Sequence, residues 1–197
     1  MHPNGQFHWD NAADLLAFAG QCAFARIFAA TGDGLRVAHA PIIVRGGRLR
    51  FHLARNNALI DHLDGGTALL LVEGPNAYVS ANWYPDPRSA VPTWNYVAAE
   101  FEGAVQRLAR ADLIALLDDL AETLEPRVGE DWTRAKMDAA SFDAMLGAIV
   151  PFELTPTAIR ATRKLSQNKR GMELAGVVAG LTRSGADAMV AAMNAVR

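Results

Sequence analysis

The sequence predicts an α+β protein whose core is a closed or partly closed antiparallel β-barrel with peripheral helices. Two observations favour this class. Six or seven runs of β-forming residues occur along the chain, and Asp-Gly and Gly-Gly pairs between the early runs are hairpin signals. Segments with helical periodicity are inserted between these runs or follow them. The regular strand–helix alternation of a doubly wound nucleotide-binding sheet is missing.

The first part of the chain predicts a helix and an antiparallel meander. Asp10 or Asn11 is a suitable N-cap for a helix that ends at Gly20. Three strand-like runs follow, AFARIFAA, LRVAHAPIIV and LRFHLA, with the turns TGDG and RGGR between them. We expect these runs to pair as neighbours in the barrel.

The middle of the chain predicts a short helix and three more strands. The helix lies in NNALIDHLDGG and starts at Asn56 or Asn57. TALLLVEGP is a strand that we expect to end at residues 74–75, and NAYVSA is another short strand. TWNYVAAEFEGAVQRL is a long strand in which the β-forming residues change phase near residues 98–99, which predicts a bulge or a bend.

The C-terminal part predicts helices around one last strand. Leucines recur at helical spacing in ADLIALLDDLAETLE, which should stop near Pro126, and residues 132–147 form a second helix. AIVPFELTPTAIRATRKLSQ is the last strand, and Pro151 and Pro156 indicate an edge or bulged position. Residues 171–196 form two short helices separated near Ser184-Gly185.

The bulk composition predicts one domain, residues 1–197, in which residues 171–197 form a helical C-terminal extension. Cys22 is the only cysteine, which excludes an internal disulfide and suits a reducing compartment. We see no signal-peptide pattern and no uncharged apolar run near the roughly 18 residues that a membrane span needs, so we expect a cytoplasmic protein. A net charge of −2 gives no general attraction to nucleic acid.

An aromatic loop stands out in the segment GPNAYVSANWYPDPRSAVPTWNY, residues 74–96, which holds every tyrosine and four of the nine prolines. Aromatic side chains offer flat apolar faces with a polar atom, and proline restricts the backbone. The loop therefore suits the wall of a pocket for a planar ligand or a subunit interface. A loop that plugs the end of a barrel is an equally good interpretation.

Motifs for the common nucleotide and metal chemistries are missing. The sequence has no GxGxxG, no GxxxxGK[ST], no HExxH and no zinc spacing of Cys and His. His39 and His52 lie on neighbouring predicted strands, but isolated strand histidines are more often hydrogen-bonded structural residues, so we predict no metal site. No side chain can be named as catalytic, and whether the protein is an enzyme stays open.

Three stretches remain as candidates for binding. In HLARNN, residues 52–57, a helix N-terminus and Arg55 suit a phosphate, although a charged strand end with asparagine capping explains the same residues. VPTWNY adjoins the aromatic loop. RKLSQNKR, residues 163–170, is a dense set of hydrogen-bond donors, or else a solvated turn.

These stretches resemble the PaiB family, FMN-binding proteins described as negative transcriptional regulators. The matching elements run in order over nearly the whole chain: VAHAPIIV, FHLARNN, EGPNAYVSANWYP, VPTWNY, AMLGAIVPFEL, KLSQNK and AGVVAGL. WYP followed by VPTWNY and KLSQN is a specific signature. In place of HLARNN, sequences of the family more often have HLARANP, and this difference changes the start of the short helix that follows.

The resemblance implies an FMN-binding split β-barrel, similar to pyridoxamine-phosphate oxidases and flavin reductases, that forms a homodimer with FMN at the subunit interface. It places the FMN phosphate at HLARNN and the flavin ring beside the strand around His39. The turn KLSQNK approaches the ring from the same chain or from the partner. The implied cofactor-binding residues are His39, His52, Ala54, Arg55, Asn57, Trp94, Asn95, Lys164, Ser166 and Gln167.

Three hypotheses on function follow: a flavin-responsive regulator, an FMN-dependent oxidoreductase, and a dimeric interaction module without cofactor. The segment from Arg160 to Arg183 carries six Lys and Arg residues against Glu173 alone, which favours contact with an anion. The sequence shows no clear helix-turn-helix, and the same cations suit FMN. Direct binding to nucleic acid is therefore weakly supported.

Overall fold

The computed structural model describes residues 2–196, which form two compact units. We call residues 12–72 and 100–159 the barrel unit, and the other described residues the terminal unit. The assignment of residues 1–197 to a single domain stays a prediction.

Six strands form a closed barrel in the order β1-β2-β3-β6-β5-β4, which confirms the predicted α+β barrel class. The pairings of β1 with β2 and β4, of β2 with β3, and of β3 with β6 are antiparallel. The strands are β1 (Phe24–Thr31), β2 (Gly34–Arg45), β3 (Arg48–Ala54), β4 (Thr67–Val79), β5 (Thr93–Arg107) and β6 (Ile149–Lys164).

Helices accompany the barrel as predicted, with some different bounds. They are α1 (Ala12–Cys22), α2 (Ile60–Leu63), α3 (Arg110–Leu124), α4 (Ala139–Leu146), α5 (Gly171–Arg183) and α6 (Asp187–Asn194). In the described part of the chain, none of the helices has the length and apolar character needed to cross a membrane.

Alternate strand residues build the core of the barrel unit, because successive side chains of a strand point to opposite faces. Fully buried side chains include Ile27, Ile42, Phe51 and Phe152, which lie on four different strands. The rings of Phe51 and Phe152 stack with their centroids 5.7 Å apart. In β3 this alternation buries Leu49, Phe51 and Leu53, and the residues between them face away from the core.

Two strand predictions near the aromatic loop are wrong. β4 does not end at residues 74–75 but continues to Val79, since proline and glycine both accept extended backbone angles. β5 shows no change of phase at residues 98–99, because every second residue from Asn95 to Val105 is buried. The apparent change arose because Trp94 and Tyr96 lie on the other face of the strand.

Pro151 and Pro156 had suggested an edge or bulged position for the last strand. The edge position is wrong, because β6 lies between β3 and β5. Pro151 pairs with His52 of β3. On the other side, a Cβ added to Gly103 of β5 would lie 2.0 Å from the carbonyl oxygen of Thr155 and 2.9 Å from Cα of Pro156. Glycine at position 103 thus permits β5 to approach the proline-bearing strand.

Three helix bounds also differ from prediction. α1 continues past Gly20 to Cys22, and α2 has only four residues and begins at Ile60. The helix expected over residues 132–147 is restricted to α4, because Asp138 caps it by accepting a hydrogen bond from Ser141 N at 2.9 Å. The end of α3 and the division between α5 and α6 follow the prediction.

Candidate functional site

The terminal unit contains a cavity with a volume of about 350 Å³, which we call the polar cavity. Its wall combines the aromatic loop, the start of β5 and the turn after β6. The residues that form it are Asn4, Phe7, Tyr84, Ser89, Ala90, Val91, Thr93, Asn95, Lys164, Ser166, Asn168 and Lys169. The wall thus carries two lysine ammonium groups, three serine or threonine hydroxyl groups and three asparagine amides.

The polar cavity is built around a buried pair, Asn95 and Ser166. Asn95 is fully buried because it lies on the inward face of β5, and its Nδ2 donates to Oγ of Ser166 at 2.9 Å. Ser166 adopts φ of +58°, a left-handed conformation that is uncommon outside glycine and often marks a functional turn. Gln167 holds this turn, since its Oε1 accepts from Leu165 N at 2.7 Å and its Nε2 donates to Arg163 O.

Two lysines give the polar cavity its charge. Lys164 donates to the hydroxyl of Thr93, and burial lowers the pKa of its ammonium group. Lys169 lies 4.5 Å from the ring centroid of Tyr84 and forms an ion pair with Glu173 at 2.8 Å. Within residues 2–196, Lys164 has no carboxylate partner and no carboxylate lines the cavity. The cavity therefore suits an anionic group or carbonyl oxygens.

The aromatic loop lines part of the polar cavity and packs against α5. Trp83 lies so close to α5 that a Cβ at Gly176 would be 1.9 Å from its carbonyl oxygen and one at Gly180 would be 2.1 Å from its ring. Trp94 donates from Nε1 to Asn76 Oδ1 at 3.2 Å and is half exposed. The loop thus lines a cavity in the terminal unit, which agrees with its interpretation as the wall of a pocket.

The turn after β3, in the barrel unit, holds the predicted phosphate contacts. Arg55 donates from Nε to Gly147 O at 2.6 Å and from Nη2 to Ile149 O at 3.4 Å. Asn57 Oδ1 accepts from Leu59 N at 3.0 Å. Because α2 has only four residues, its dipole is small and adds less to anion binding than the sequence suggested. Arg55 is exposed and has further N–H donors for a phosphate.

Three other predicted residues also lie in the barrel unit. His39 is exposed on β2, with its ring stacked on Phe24 at 6.3 Å. Ala54 is exposed at the end of β3. His52 faces away from the barrel core and lies in an apolar cavity beside α4, where burial lowers the pKa of its imidazole. That it contacts FMN stays a prediction.

The predicted residues thus fall into two groups. Asn95, Lys164 and Ser166 line the polar cavity, and Trp94 and Gln167 adjoin these residues along the chain. The other five predicted residues are in the barrel unit. Sequence reasoning missed Thr93, Lys169 and Tyr84 as parts of a site, although each stands inside a stretch that it had singled out. Asn4 and Phe7 carried no signal.

The residues present fit FMN by the chemistry of their donors. A flavin nucleotide carries a dianionic phosphate, ring carbonyl oxygens and a flat ring system. The polar cavity offers ammonium, hydroxyl and amide donors together with the face of Tyr84, and the turn after β3 offers the guanidinium group of Arg55. Each unit therefore presents groups that such a ligand requires.

Comparison with known proteins agrees with these features. A family model described as "Putative FMN-binding domain" matches residues 1–158. The Bacillus subtilis protein named "Protease synthase and sporulation protein PAI 2" is 32% identical over 110 residues, which cover 56% of this chain and 52% of that protein. The match thus spans about half the length of this relative. An uncharacterized protein of Emericella nidulans is 27% identical over an alignment 182 residues long, and the aligned part covers 77% of this chain and 72% of that protein.

Solved structures share the fold. The flavocytochrome Anf3 from Azotobacter vinelandii superposes with a TM-score of 0.64 at 12% identity, covering 87% of this chain and 73% of that chain. A protein from Mycobacterium smegmatis described as binding FAD and heme gives a TM-score of 0.59 at 15% identity, covering 88% of this chain and 80% of that chain. At such low identities the likeness shows the fold alone.

Proposed function

The chain belongs to the FMN-binding domain family whose model spans residues 1–158, and on this premise we propose that it is a flavin-dependent negative transcriptional regulator that acts as a homodimer. Membership of this family confirms FMN as the cofactor and, with the relative in Bacillus subtilis, the resemblance to PaiB proteins. The observation that supports the proposal is the polar cavity, because Asn95, Lys164, Ser166, Asn168 and Lys169 in its wall come from the signature stretches WNY and KLSQNK.

We assign the contacts with FMN by chemistry. Arg55 and Asn57 hold the phosphate, and the strand that carries His39 runs beside the ring. Lys164 and Ser166 donate to the polar edge of the ring, and the turn held by Gln167 presents them. FMN supplies reversible redox chemistry when bound, whereas the protein binds the ring, orients it and limits its access to water.

The outer face of β1 and β2 supports a homodimer. Phe24, Leu35 and Val37 are 52%, 76% and 46% exposed, and His39 lies on the same face of β2. Exposed apolar side chains that cluster on one sheet face mark surfaces that bind another protein. A second copy of the chain that covers this face would place residues of both subunits around the ring beside His39.

The basic segment from Arg160 to Arg183 gives limited support to direct binding of DNA. Lys169 is paired with Glu173, the guanidinium of Arg163 lies 4.5 Å from the ring centroid of Trp9, and Lys164 lines the polar cavity. Arg170 and Arg183 are exposed. An electrophoretic shift assay across a salt series tests the regulatory role, because phosphate contacts weaken steeply with salt. No shift even at low salt would remove direct DNA binding from the proposal.

An FMN-dependent oxidoreductase is the second candidate, and Lys164 is the observation that favours it. An ammonium group that is partly desolvated and lacks a carboxylate partner is suited to an anionic substrate next to the ring. Anaerobic mixing with NADH or NADPH in a stopped-flow instrument separates the two functions. Rapid loss of flavin absorbance supports the oxidoreductase, and an unchanged spectrum contradicts a reductase.

The assigned contacts are tested by titrating Arg55→Ala with FMN and with riboflavin, which lacks the phosphate. We expect the variant to weaken FMN binding by about 1.5–3 kcal/mol, the usual loss for a charge-assisted contact, and to change riboflavin binding little. Lys164→Met should weaken both ligands, because it acts on the ring.

Lys136→Gln, at a surface ion pair with Asp131, is the matched control for loss of charge. Since Arg55 also bonds two carbonyl oxygens, the melting temperature of each variant is measured alongside. Unchanged FMN affinity in folded Arg55→Ala would show that the phosphate lies elsewhere.

A further inference from the structure

The helix α4 and the chain before it pack weakly on the rest of the barrel unit. We call residues 129–147 the α4 segment. Of the described residues from 129 to 145, all are exposed except Met137 and Phe142, which are half-buried. Within α4, which the structure describes in full, Leu146 alone is buried. Regions with few buried side chains open at a low cost in free energy, so we expect a low local stability here.

The space under the α4 segment is incompletely filled. A cavity of about 390 Å³ lies there, and its wall combines Phe142 and Met145 of the segment with His52 of β3 and Leu117 of α3. Protein interiors are normally close-packed, and a side chain that faces a cavity lacks neighbours on that side. The cavity therefore reduces the packing that holds the segment closed.

Ion pairs between the α4 segment and α3 add little. Nη2 of Arg110 lies 2.8 Å from Oδ1 of Asp143, and Nε of Arg134 lies 3.0 Å from Oδ1 of Asp118. All four side chains are exposed, and ion pairs in solvent contribute little to stability. The segment therefore depends on its remaining connections to the barrel.

Arg55 supplies such a connection at the end of the segment. Its backbone N donates to Ala148 O at 2.8 Å. In its side chain, Nε donates to Gly147 O at 2.6 Å and Nη2 donates to Ile149 O at 3.4 Å. One arginine thus fixes three successive carbonyl groups where the α4 segment joins β6, near the negative end of the dipole of α4.

The same arginine is the contact that we assign to the phosphate of FMN. Nε and Nη2 are directed to the carbonyl groups, and Nη1 has N–H groups for the phosphate. A guanidinium group that holds a phosphate has already lost conformational freedom, so it loses less when it also holds the carbonyl groups. The two contacts therefore strengthen each other.

We propose that the α4 segment opens and closes as a unit, and that Arg55 keeps it closed when it holds the phosphate of FMN. This proposal rests on the phosphate contact assigned under the proposed function. A flavin-dependent regulator requires an element whose conformation differs between the free and the FMN-bound protein. The α4 segment is that element.

Hydrogen exchange of the full chain tests the proposal, because the exchange rate of an amide reports how often its segment opens. Rates are measured by mass spectrometry for peptides over residues 139–147 without ligand, with saturating FMN and with saturating riboflavin, which lacks the phosphate. We expect FMN to slow this exchange at least about tenfold, the ratio that one charge-assisted contact supplies, and riboflavin to change it less than about twofold. Peptides over α1 are the internal reference for general stabilisation.

Arg55→Ala removes the link between the phosphate and the α4 segment. Without ligand, its peptides over residues 139–147 should exchange about fivefold or more faster than those of the wild type, because two carbonyl contacts are lost. FMN at a concentration that saturates the variant should slow the exchange less than about twofold. Arg183→Ala, which removes an exposed arginine of α5, is the matched control and should behave as the wild type.

Phe142→Ala tests the same coupling from the other side and leaves Arg55 in place. Coupling between two sites is reciprocal, so a segment that is more often open binds FMN more weakly. If the segment is closed in about a third of the molecules, the dissociation constant for FMN rises about threefold. We expect this rise for FMN and a change of less than about twofold for riboflavin. Met172→Ala, on an exposed residue of α5, is the control and should leave both dissociation constants unchanged.

Three results would overturn the proposal. In the first, FMN binds the wild type and loses affinity in Arg55→Ala, yet leaves the exchange of the α4 segment unchanged; the phosphate contact then stands and the closing of the segment does not. In the second, FMN and riboflavin slow the exchange equally, or Phe142→Ala weakens both ligands equally, so the phosphate is not the cause. In the third, folded Arg55→Ala keeps its FMN affinity, which removes the phosphate contact and this proposal with it.

Discussion

At the scale of single residues, His52 and Lys164 share an unusual state, because each is partly buried and each lacks the partner that burial normally requires. Nδ1 of His52 has no hydrogen bond, and Lys164 has a hydroxyl but no carboxylate, within the residues that the structure describes. Desolvation disfavours the charged form of both and lowers the pKa of each. Groups in this state are common at binding sites.

His52 makes stability depend on pH in a defined direction. Its pKa is lowered from about 6.5 in the folded protein, so below pH 6.5 the unfolded chain binds a proton that the folded chain does not. The free energy of unfolding should therefore fall as pH drops from 6.5 towards the folded-state pKa, by at most about 1.4 kcal/mol per pH unit. Above pH 6.5 this contribution is constant.

Urea unfolding of the wild type and of His52→Leu between pH 4.5 and 8 checks this prediction. The difference in the free energy of unfolding between the two proteins should change below pH 6.5 in favour of the variant. His62→Gln provides the comparison with an exposed histidine. A difference that stays constant over the whole range would contradict the prediction.

At the scale of elements, close approaches at glycine decide how the pieces pack within the terminal unit. Gly176 and Gly180 lie one helical turn apart on α5, and both face Trp83 of the aromatic loop. This packing explains in physical terms why the signature stretch AGVVAGL carries two glycines. The helix and the loop that lines the polar cavity thus support each other.

Gly176→Ala should destabilise the protein although alanine favours helices. A Cβ at this position would lie 1.9 Å from the carbonyl oxygen of Trp83, so the backbone of the loop must move. Overpacking of this kind costs about 1–3 kcal/mol, which exceeds the gain of about 1 kcal/mol in helix propensity. Thermal unfolding measures the net effect.

Gly20→Ala is the matched control on α1, because its nearest neighbour, Cγ2 of Val44, would be 3.9 Å from the new Cβ. That variant should be stabilised by up to about 1 kcal/mol. If both substitutions raise the melting temperature, the contact between α5 and Trp83 is looser than the structure shows.

Glu153 on β6 joins two arginines of β3. It accepts from Arg48 at 2.7 Å and from Arg50 at 2.6 Å, and its side chain is 5% exposed. Burial by itself would raise the pKa of Glu153, but the hydrogen bonds and charges of Arg50 and Arg48 outweigh it and lower the pKa. The carboxylate therefore stabilises the fold above the unfolded-state pKa of about 4.5, and this stabilisation is lost as pH falls through the folded-state pKa.

Glu153→Gln should lower the free energy of unfolding by about 2 kcal/mol at pH 7, a value reduced because Arg48 is half exposed. The gap between variant and wild type should shrink as the pH falls from 4.5 towards 3, because the carboxylate of the unfolded chain takes up a proton in this range more readily than that of the folded chain. Urea unfolding at both pH values tests this. If the difference in the free energy of unfolding is the same at pH 3 and pH 7, Glu153 stabilises the fold by its packing and not by its charge.

At the scale of the whole molecule, the apolar face of β1 and β2 is the interface of the homodimer that we propose. Val37→Glu, with Val37 46% exposed, should dissociate the dimer by placing a charge in its interface and should raise the dissociation constant at least about 100-fold. Light scattering with size-exclusion chromatography measures the mass. Val128→Glu, at a residue 74% exposed outside the barrel strands, should leave the mass unchanged. A wild type that is monomeric at high concentration would contradict the prediction.

The predictions from sequence were accurate where the signal was local. Hairpin turns, alternating strands and the division between α5 and α6 were found as expected, because each depends on neighbours within a few residues. They were wrong where local signals compete. The pair Gly74-Pro75 is a local signal for the end of a strand, yet β4 continues through it to Val79. Trp94 and Tyr96 suggested a change of phase that β5 does not have.

By itself the sequence determined the class of fold and the family, because these depend on periodicity, turn residues and motif spelling. Only the tertiary structure decided that Asn95 meets Ser166, that β6 lies between β3 and β5, and that Nδ1 of His52 is buried without a partner. The physical reason is that such contacts join residues far apart in the chain, 71 positions for Asn95 and Ser166. They depend on strand register and barrel closure, which no local pattern contains.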